Sequence, residues 1–374
     1  MKRTAAGCMA LLKREPVLFV SAAAAVVTMF FVPPSVNYGA YIDWRVLCLL
    51  FCLMASVAGL RQDGLFDQLA RGLLAGRREW RLLSLLLTWL PFFCAMLVTN
   101  DVALLAFVPF TLFVLARVGR ERDGIRLIVL QTMAANLGSM ATPVGNPQNL
   151  FLYSAYGLSP GAFFGTVLPY AAVSLAGLSL AALWTRGETI EVRFPPASPT
   201  AGNKGRWLPY MLFLLCLLSV FRLVPYGITT AAALLGLLAF RRELFRQVDY
   251  ALLLTFASFF IFAGNLGRIE PVSDWLGGQL EKNGWLTSAL ASQGISNVPA
   301  AVLLSRFTDN WRGLLVGTNI GGLGTPVASL ASLISLKLYM RGRNARAGRY
   351  LAVFTLSNGI GLAVLCLTAW LLNR

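Results

Sequence analysis

Asp101 lies in Leu97-Val-Thr-Asn-Asp-Val102, and of the 16 acidic residues it alone has long apolar sequence on both sides. An ionisable group at membrane depth costs about 3 kcal/mol on insertion scales, so such a residue is a functional candidate by default. A capping role can coexist, because Thr99, Asn100 or Asp101 would satisfy the orphan amides of a helix that starts there. The stretch Gly294-Ile-Ser-Asn-Val-Pro299 matches it, with Ser296 and Asn297 standing for Thr99 and Asn100 but Val298 in place of Asp101. One carboxylate thus serves an otherwise neutral pair, which suits coupling to a single proton or a Na⁺ site built from oxygen ligands.

A second polar constellation is duplicated. Ala135-Asn-Leu-Gly-Ser-Met-Ala-Thr-Pro-Val144 recurs as Thr318-Asn-Ile-Gly-Gly-Leu-Gly-Thr-Pro-Val327, with five of the ten positions identical. Gly138, Pro143, Gly145 and Pro147 preclude a continuous helix over residues 136–149, since proline removes a donor and clashes with the preceding turn. Unwound backbone offers carbonyls to a cation, and a half-helix starting near Gln148 would turn its positive amino end toward an anion. The candidate ligands are Asn136, Ser139, Thr142, Gly145, Asn146 and Asn149 in the first copy. In the second they are Thr318, Asn319, Gly321, Gly322, Thr325 and Ser329. A candidate Na⁺ position falls among Thr99, Asn100, Asp101 and Asn136. A packing kink explains one proline motif, but two copies that each follow a polar hairpin apex mark a transporter's central site.

These residues must be positioned by lipid-embedded elements. The chain has 374 residues, 57% of them hydrophobic and only 13% charged, too much apolar surface for a soluble core. The expected fold class is an all-α polytopic membrane protein. With no histidine and six dispersed cysteines, zinc and most nucleophilic chemistry lack ligands. An intramembrane aspartic protease would need a second aspartate, so an enzyme is not expected. The net charge of +16 comes from basic residues between apolar runs, which reads as topology signalling rather than nucleic-acid binding.

Apolar runs at 17–36, 44–60, 160–184 and 350–372 are long enough to cross. Shorter ones at 82–98 and 102–116 predict a re-entrant hairpin, since legs of about 15 residues reach only about 22 Å. Residues 285–308 predict a second hairpin, while 124–157 and 310–340 predict broken helices. Charge alone does not separate a hairpin from a helix pair. An amino terminus (1–16) on the cytoplasmic side puts 24 of the 32 basic residues inside. Residues 17–184 and 226–372 then form two inverted repeats, joined at 185–225 by a cytoplasmic loop with Pro195, Pro196 and Pro199 and a linking span at 207–222. The polar stretches Arg61 to Arg81 and Arg268 to Asn283 read as amphipathic surface helices. Trp44, Trp80, Trp184, Trp207, Trp285, Trp311 and Trp370 fall near span ends, where interfacial anchoring is expected.

At Thr99-Asn100-Asp101, Ala135 to Asn149, Ser296 to Pro299 and Thr318 to Ser329 the chain resembles the ion transporter superfamily. That group includes arsenite efflux pumps, NhaD-type Na⁺/H⁺ antiporters and divalent anion/Na⁺ symporters, and shares the citrate-transporter-like domain. The resemblance implies an elevator motion, with 82–157 and 285–340 sliding as one unit against a scaffold. Dicarboxylate symporters of the group carry Ser-Asn-Thr at both apices, whereas Thr-Asn-Asp here looks more like the arsenite and NhaD branches. The leading expectation is a secondary active transporter of a small anion or arsenite-like oxyacid in a bacterial-type plasma membrane, coupled to H⁺ or Na⁺ through Asp101 and needing no other cofactor. Na⁺/H⁺ antiport, Na⁺-coupled di- or tricarboxylate symport and a passive channel are the alternatives. The expected partners are the small oxyacid solute, anionic or neutral, and the lipid bilayer, with a homodimer allowed and no nucleic acid.

Overall fold

In a computed structural model of the chain, residues 15–34, 38–185, 187–192, 194, 205–342 and 345–372 are described, and they are mostly helical. Helices α1 (Pro16–Met29), α2 (Tyr38–Tyr41), α3 (Trp44–Gln62) and α4 (Leu65–Leu74) lead to a helical hairpin, α5 (Trp80–Ala95) and α6 (Asn100–Arg117). An interrupted helix follows, α7 (Gly124–Ser139) and α8 (Pro147–Ala155), and then α9 (Pro160–Leu183). After α10 (Trp207–Val220) the order recurs: α11 (Tyr226–Phe240), α12 (Tyr250–Leu266), α13 (Glu270–Ile295) and α14 (Asn297–Leu304), the broken α15 (Trp311–Ile320) and α16 (Leu330–Tyr339), and α17 (Ala347–Leu372). Among the described residues α3, α6, α9 and α17 are long and apolar enough to cross a bilayer, and α12 with α13, bent by 102°, would add a fifth span if the two count as one.

Packing divides these elements. Helix α1 lies on α12, and α3 on α10 and α11, while each hairpin's first leg packs on the opening segment of its own broken helix, α5 on α7 and α13 on α15. The closing segments cross over, α8 onto α14 and α16 onto α6, so each break reaches the other half's hairpin. Where α3 and α11 end, Arg241 is only 1% exposed. Its guanidinium donates to Glu243 Oε1 at 2.6 Å, Asp63 Oδ1 at 3.3 Å and Gln62 Oε1 at 3.1 Å, tying the two helix ends together.

Several expectations change. The run at 17–36 yields a helix of only 14 residues, because Pro33 and Pro34 cannot extend it. The hairpin's second leg, α6, has 18 residues and so reaches about 27 Å; leg length therefore does not argue against a crossing there. Helix α13 bends at Asn283 (φ −157°, ψ 81°), and its remainder with the eight-residue α14 makes the second hairpin. Within the amphipathic stretch 61–81, whose ends belong to α3 and α5, the surface helix spans only Leu65–Leu74. It continues as β1 (Gly76–Glu79), which pairs antiparallel with β2 (Thr189–Val192), so the described chain is not purely α. The ribbon is held by Trp80 N–H to Glu188 O at 2.7 Å and by the Arg120–Glu188 ion pair. Trp80 is accordingly not an interfacial anchor: it is 1% exposed, with its indole donating to Thr185 Oγ1 at 3.0 Å. Residues 1–14 of the proposed amino-terminal segment 1–16 and the loop prolines Pro195, Pro196 and Pro199 lie outside the described residues.

Candidate functional site

Each hairpin turn is clamped to its own helix break by the same contacts. Asn100 N–H donates to Gly145 O at 3.3 Å, and Asn297 N–H to Ala328 O at 3.0 Å. Asn100 Oδ1 accepts from Asp101 N–H and Asn297 Oδ1 from Val298 N–H, both at 2.9 Å. Thr142 Oγ1 donates to Met96 O, and Thr325 Oγ1 to Gln293 O at 2.9 Å. The threonine of each motif therefore holds the break against the hairpin, and Thr325 is exposed. Gly138 and Gly321 permit this closeness: a Cβ on Gly138 would collide with Phe92 O, and one on Gly321 would come within 2.8 Å of Ser292 Cβ. Ser296 turns the second apex with φ 74°, a left-handed conformation that costs a non-glycine residue about 1–3 kcal/mol and tends to persist at functional sites. Its Oγ donates to Ala328 O at 3.3 Å.

The two breaks meet through side chains. Ser329 Oγ donates to Asn136 Oδ1 at 3.0 Å, and Asn319 Nδ2 donates to Asn149 Oδ1 at 2.7 Å. Their partners leave no choice of amide orientation. Asn100 Nδ2 also donates to Asn136 Oδ1, at 2.9 Å, leaving Asn136 Nδ2 without a partner. Asn149 Nδ2 faces the carbonyls of Ser139, Met140 and Thr142 at 3.2–3.3 Å, so its oxygen must face Asn319. Asn319 Nδ2 is used again on Leu315 O, leaving Asn319 Oδ1 unpartnered. Ser139 Oγ donates to Asn136 O at 2.9 Å and accepts from Asn146 Nδ2 at 2.6 Å, leaving Asn146 Oδ1 unpartnered. Buried polar groups are normally satisfied, so orphans gathered at the two bridged breaks mark a place for a ligand.

Several break carbonyls expected to face a cation are already engaged. Asn149 covers three of them, and Gln293 Nε2 covers Gly321 O and Leu323 O at 2.8 and 2.9 Å. Thr318 spends its hydroxyl on Leu314 O, within its own helix, and Gly322 packs beside the Asn297 amide. Of the candidate Na⁺ set, Asn136 Oδ1 already accepts two donors and Asn100 Oδ1 one, whereas Asp101 Oδ1 is buried with no partner. A cavity of about 380 Å³ reaches Thr99 and Asp101 between α3 and α6 and runs to Arg61, Gln247 and Asp249. A second, of about 340 Å³, lies past the opposite end of α3 at Tyr41, Asp43, Tyr156 and Arg306.

Residues 9–310 match the citrate transporter family, CitMHS. The chain belongs to that family. It is 32% identical to an uncharacterized transporter of Methanocaldococcus jannaschii, over 83% of this chain and 85% of that one. It is 33% identical to an inner membrane protein of Escherichia coli, over 83% and 84%. A shorter match, 33% identical over 38% of this chain and 28% of the other, is to a silicon efflux transporter of Oryza sativa. The protein is thus a membrane transporter of the CitMHS family, and the ion transporter superfamily resemblance holds.

Within this CitMHS chain, sequence reasoning missed Gln148, Gln293, Ser332 and Ser335. Gln293 sits four residues before Asn297, as Met96 does before Asn100, and its place directly before the polar apex Gly294 to Pro299 was the available signal. Ser332 and Ser335 are buried with unpartnered hydroxyls on α16. Gln148 lies inside a motif already singled out but was read there only as a helix start.

Proposed function

We propose that this CitMHS transporter is a secondary active carrier of a small anion or arsenite-like oxyacid, driven by H⁺ through Asp101, in a bacterial-type inner membrane. The supporting observation is the pair of side-chain bridges between the two breaks, Ser329 to Asn136 and Asn319 to Asn149, next to a cavity that ends at Thr99 and Asp101. Duplicated breaks meeting at one point are how transporters of inverted-repeat construction make a central site. The matching element order and clamps of the two halves support such a repeat, and 82–157 with 285–340 would then move as one elevator unit. Protons are favoured over Na⁺ because the amide oxygens that would ligate Na⁺ already accept hydrogen bonds, whereas one oxygen of Asp101 is free to be protonated.

Between the two solute types, the absence of any basic side chain among the bridging residues favours the neutral form, in line with the silicon efflux relative. The test is arsenite flux in proteoliposomes under imposed pH and Na⁺ gradients. Asp101→Asn should cut gradient-driven flux more than tenfold and flatten its pH dependence, and exchanging Na⁺ for K⁺ should leave wild-type flux unchanged. Equal rates and pH profiles for the variant and the wild type would refute coupling through Asp101.

A further inference from the structure

Gln148 has no solvent exposure, and neither Oε1 nor Nε2 has a hydrogen-bond partner. An unmade hydrogen bond costs a buried polar group about 1–3 kcal/mol, and this side chain carries two such groups. The repeat does not require a polar residue here. The motif alignment that pairs Asn146 with Ser329 pairs Gln148 with Ala331, which is just as buried and wholly apolar. Gln148 stands on the first turn of α8, a helix of nine residues, between Asn146 with its orphan Oδ1 and Asn149, the residue that bridges to Asn319. A helix amino end without a side-chain cap and a fully buried, unpartnered amide thus coincide at the first break, where Asn136 and Asn146 also carry unpartnered amide atoms.

We propose that Gln148 contacts the transported solute and reads a hydroxyl-bearing group, its Oε1 accepting from a solute hydroxyl while its Nε2 donates to a solute oxygen. This rests on the transport reading above and specifies its solute. At the breaks the unpartnered amide atoms include two acceptors, Asn319 Oδ1 and Gln148 Oε1, and two donors, Asn136 Nδ2 and Gln148 Nε2, and Asn146, whose partner is a hydroxyl, adds one of either kind. A fully deprotonated oxyanion or dicarboxylate offers acceptors only, and any anion would set negative charge against the carbonyl oxygens of Asn319 and Gln148. A bare cation would meet two N–H donors. An un-ionised polyhydroxy acid supplies both hydrogen-bonding roles from each hydroxyl and so suits acceptors and donors alike. Asp101 and the H⁺ coupling are separate from this recognition.

The experiment uses the full chain in nanodiscs, with binding titrations and thermal unfolding for wild type, Gln148→Leu and Gln148→Glu. Arsenous and boric acids, both un-ionised at neutral pH, are the neutral probes; phosphate, succinate and MgCl₂ are the ionic ones. Wild type should bind the neutral probes and prefer them at least tenfold over the ionic ones. Gln148→Leu should weaken neutral-probe binding at least tenfold while its ligand-free Tm stays level or rises, because an apolar side chain of similar size removes two unmade hydrogen bonds. A purely structural glutamine would behave the other way, with a lower Tm and unchanged affinity, and that result overturns the proposal. Preference of the wild type for the ionic probes overturns it as well. These are binding readouts, so a protein that recognises the neutral probes yet fails the flux test would sink the coupling assignment and leave Gln148 in place.

Discussion

Asn149 makes three hydrogen bonds with one nitrogen. Its Nδ2 gathers the carbonyls of Ser139, Met140 and Thr142, of which only Thr142 O has another backbone donor, Gly145 N–H at 3.4 Å, and its oxygen receives Asn319 from the other half. The side chain is fully buried, so no water can replace it cheaply. Asn149→Ala should lower stability by about 2–4 kcal/mol, from orphaned acceptors at about 1–3 kcal/mol each partly relieved by relaxation. Asn149→Asp should be worse, since it sets a carboxylate against three carbonyl oxygens. Thermal unfolding in detergent checks both, and an Asp variant as stable as wild type would mean that the amide is not the clamp. That Asn149 belonged to the site was legible in its motif, whereas the orientation of its amide was not. Donor and acceptor ends are decided by partners that arrive from residue 319, far along the chain, and no local pattern encodes that meeting.

At the scale of elements, breaks and hairpins could be read because proline, glycine and amides punctuate otherwise apolar runs. The second leg of the first hairpin proved longer than its hydropathy run, since helix α6 begins on polar Asn100 and Asp101 and ends on Arg117. The β ribbon was hidden for another reason. Gly76-Arg-Arg-Glu79 lacks the apolar alternation of a half-buried strand, and its pairing depends on Glu188 and Arg120 from distant loops. What holds hairpin to break is close approach of backbones, most tightly at Gly138 against Phe92 on α5. Gly138→Ala gains helix propensity of about 1 kcal/mol. Yet its methyl meets a main-chain carbonyl that cannot rotate away, an overpacking that costs about 1–3 kcal/mol or more. A net loss of stability is therefore expected. Gly161→Ala, where a Cβ meets nothing within 4 Å, supplies the control and should be neutral or stabilising. If the two variants melt alike, the contact between α5 and α7 is looser than described.

Taken whole, the molecule carries its larger cavity and its bridging arginines at opposite ends of α3. The cavity at Asp101 extends toward Arg61. At the other end, Arg222 of the linking segment donates to Gly157 O at 3.1 Å and to Tyr153 O at 3.4 Å, closing the carboxyl end of α8, with its guanidinium 5.7 Å from the Tyr153 ring centroid. Arg306, just past α14, donates to Tyr41 O at 2.9 Å. In the proposed elevator both arginines would join the moving unit to the scaffold, and sliding of that unit would have to break these bonds. Arg222 also has φ 64°, and left-handed backbone costs a residue with a Cβ about 1 kcal/mol or more. Arg222→Gly removes the strain together with the side chain, which separates a latch from a folding role. Spin labels at Leu235 and Leu290, 68% and 64% exposed, report the two parts once the six native cysteines are replaced. The expected outcome is a second distance population in Arg222→Gly at unchanged Tm. A single distribution identical to that of the parent would show that these bonds do not hold the unit in place.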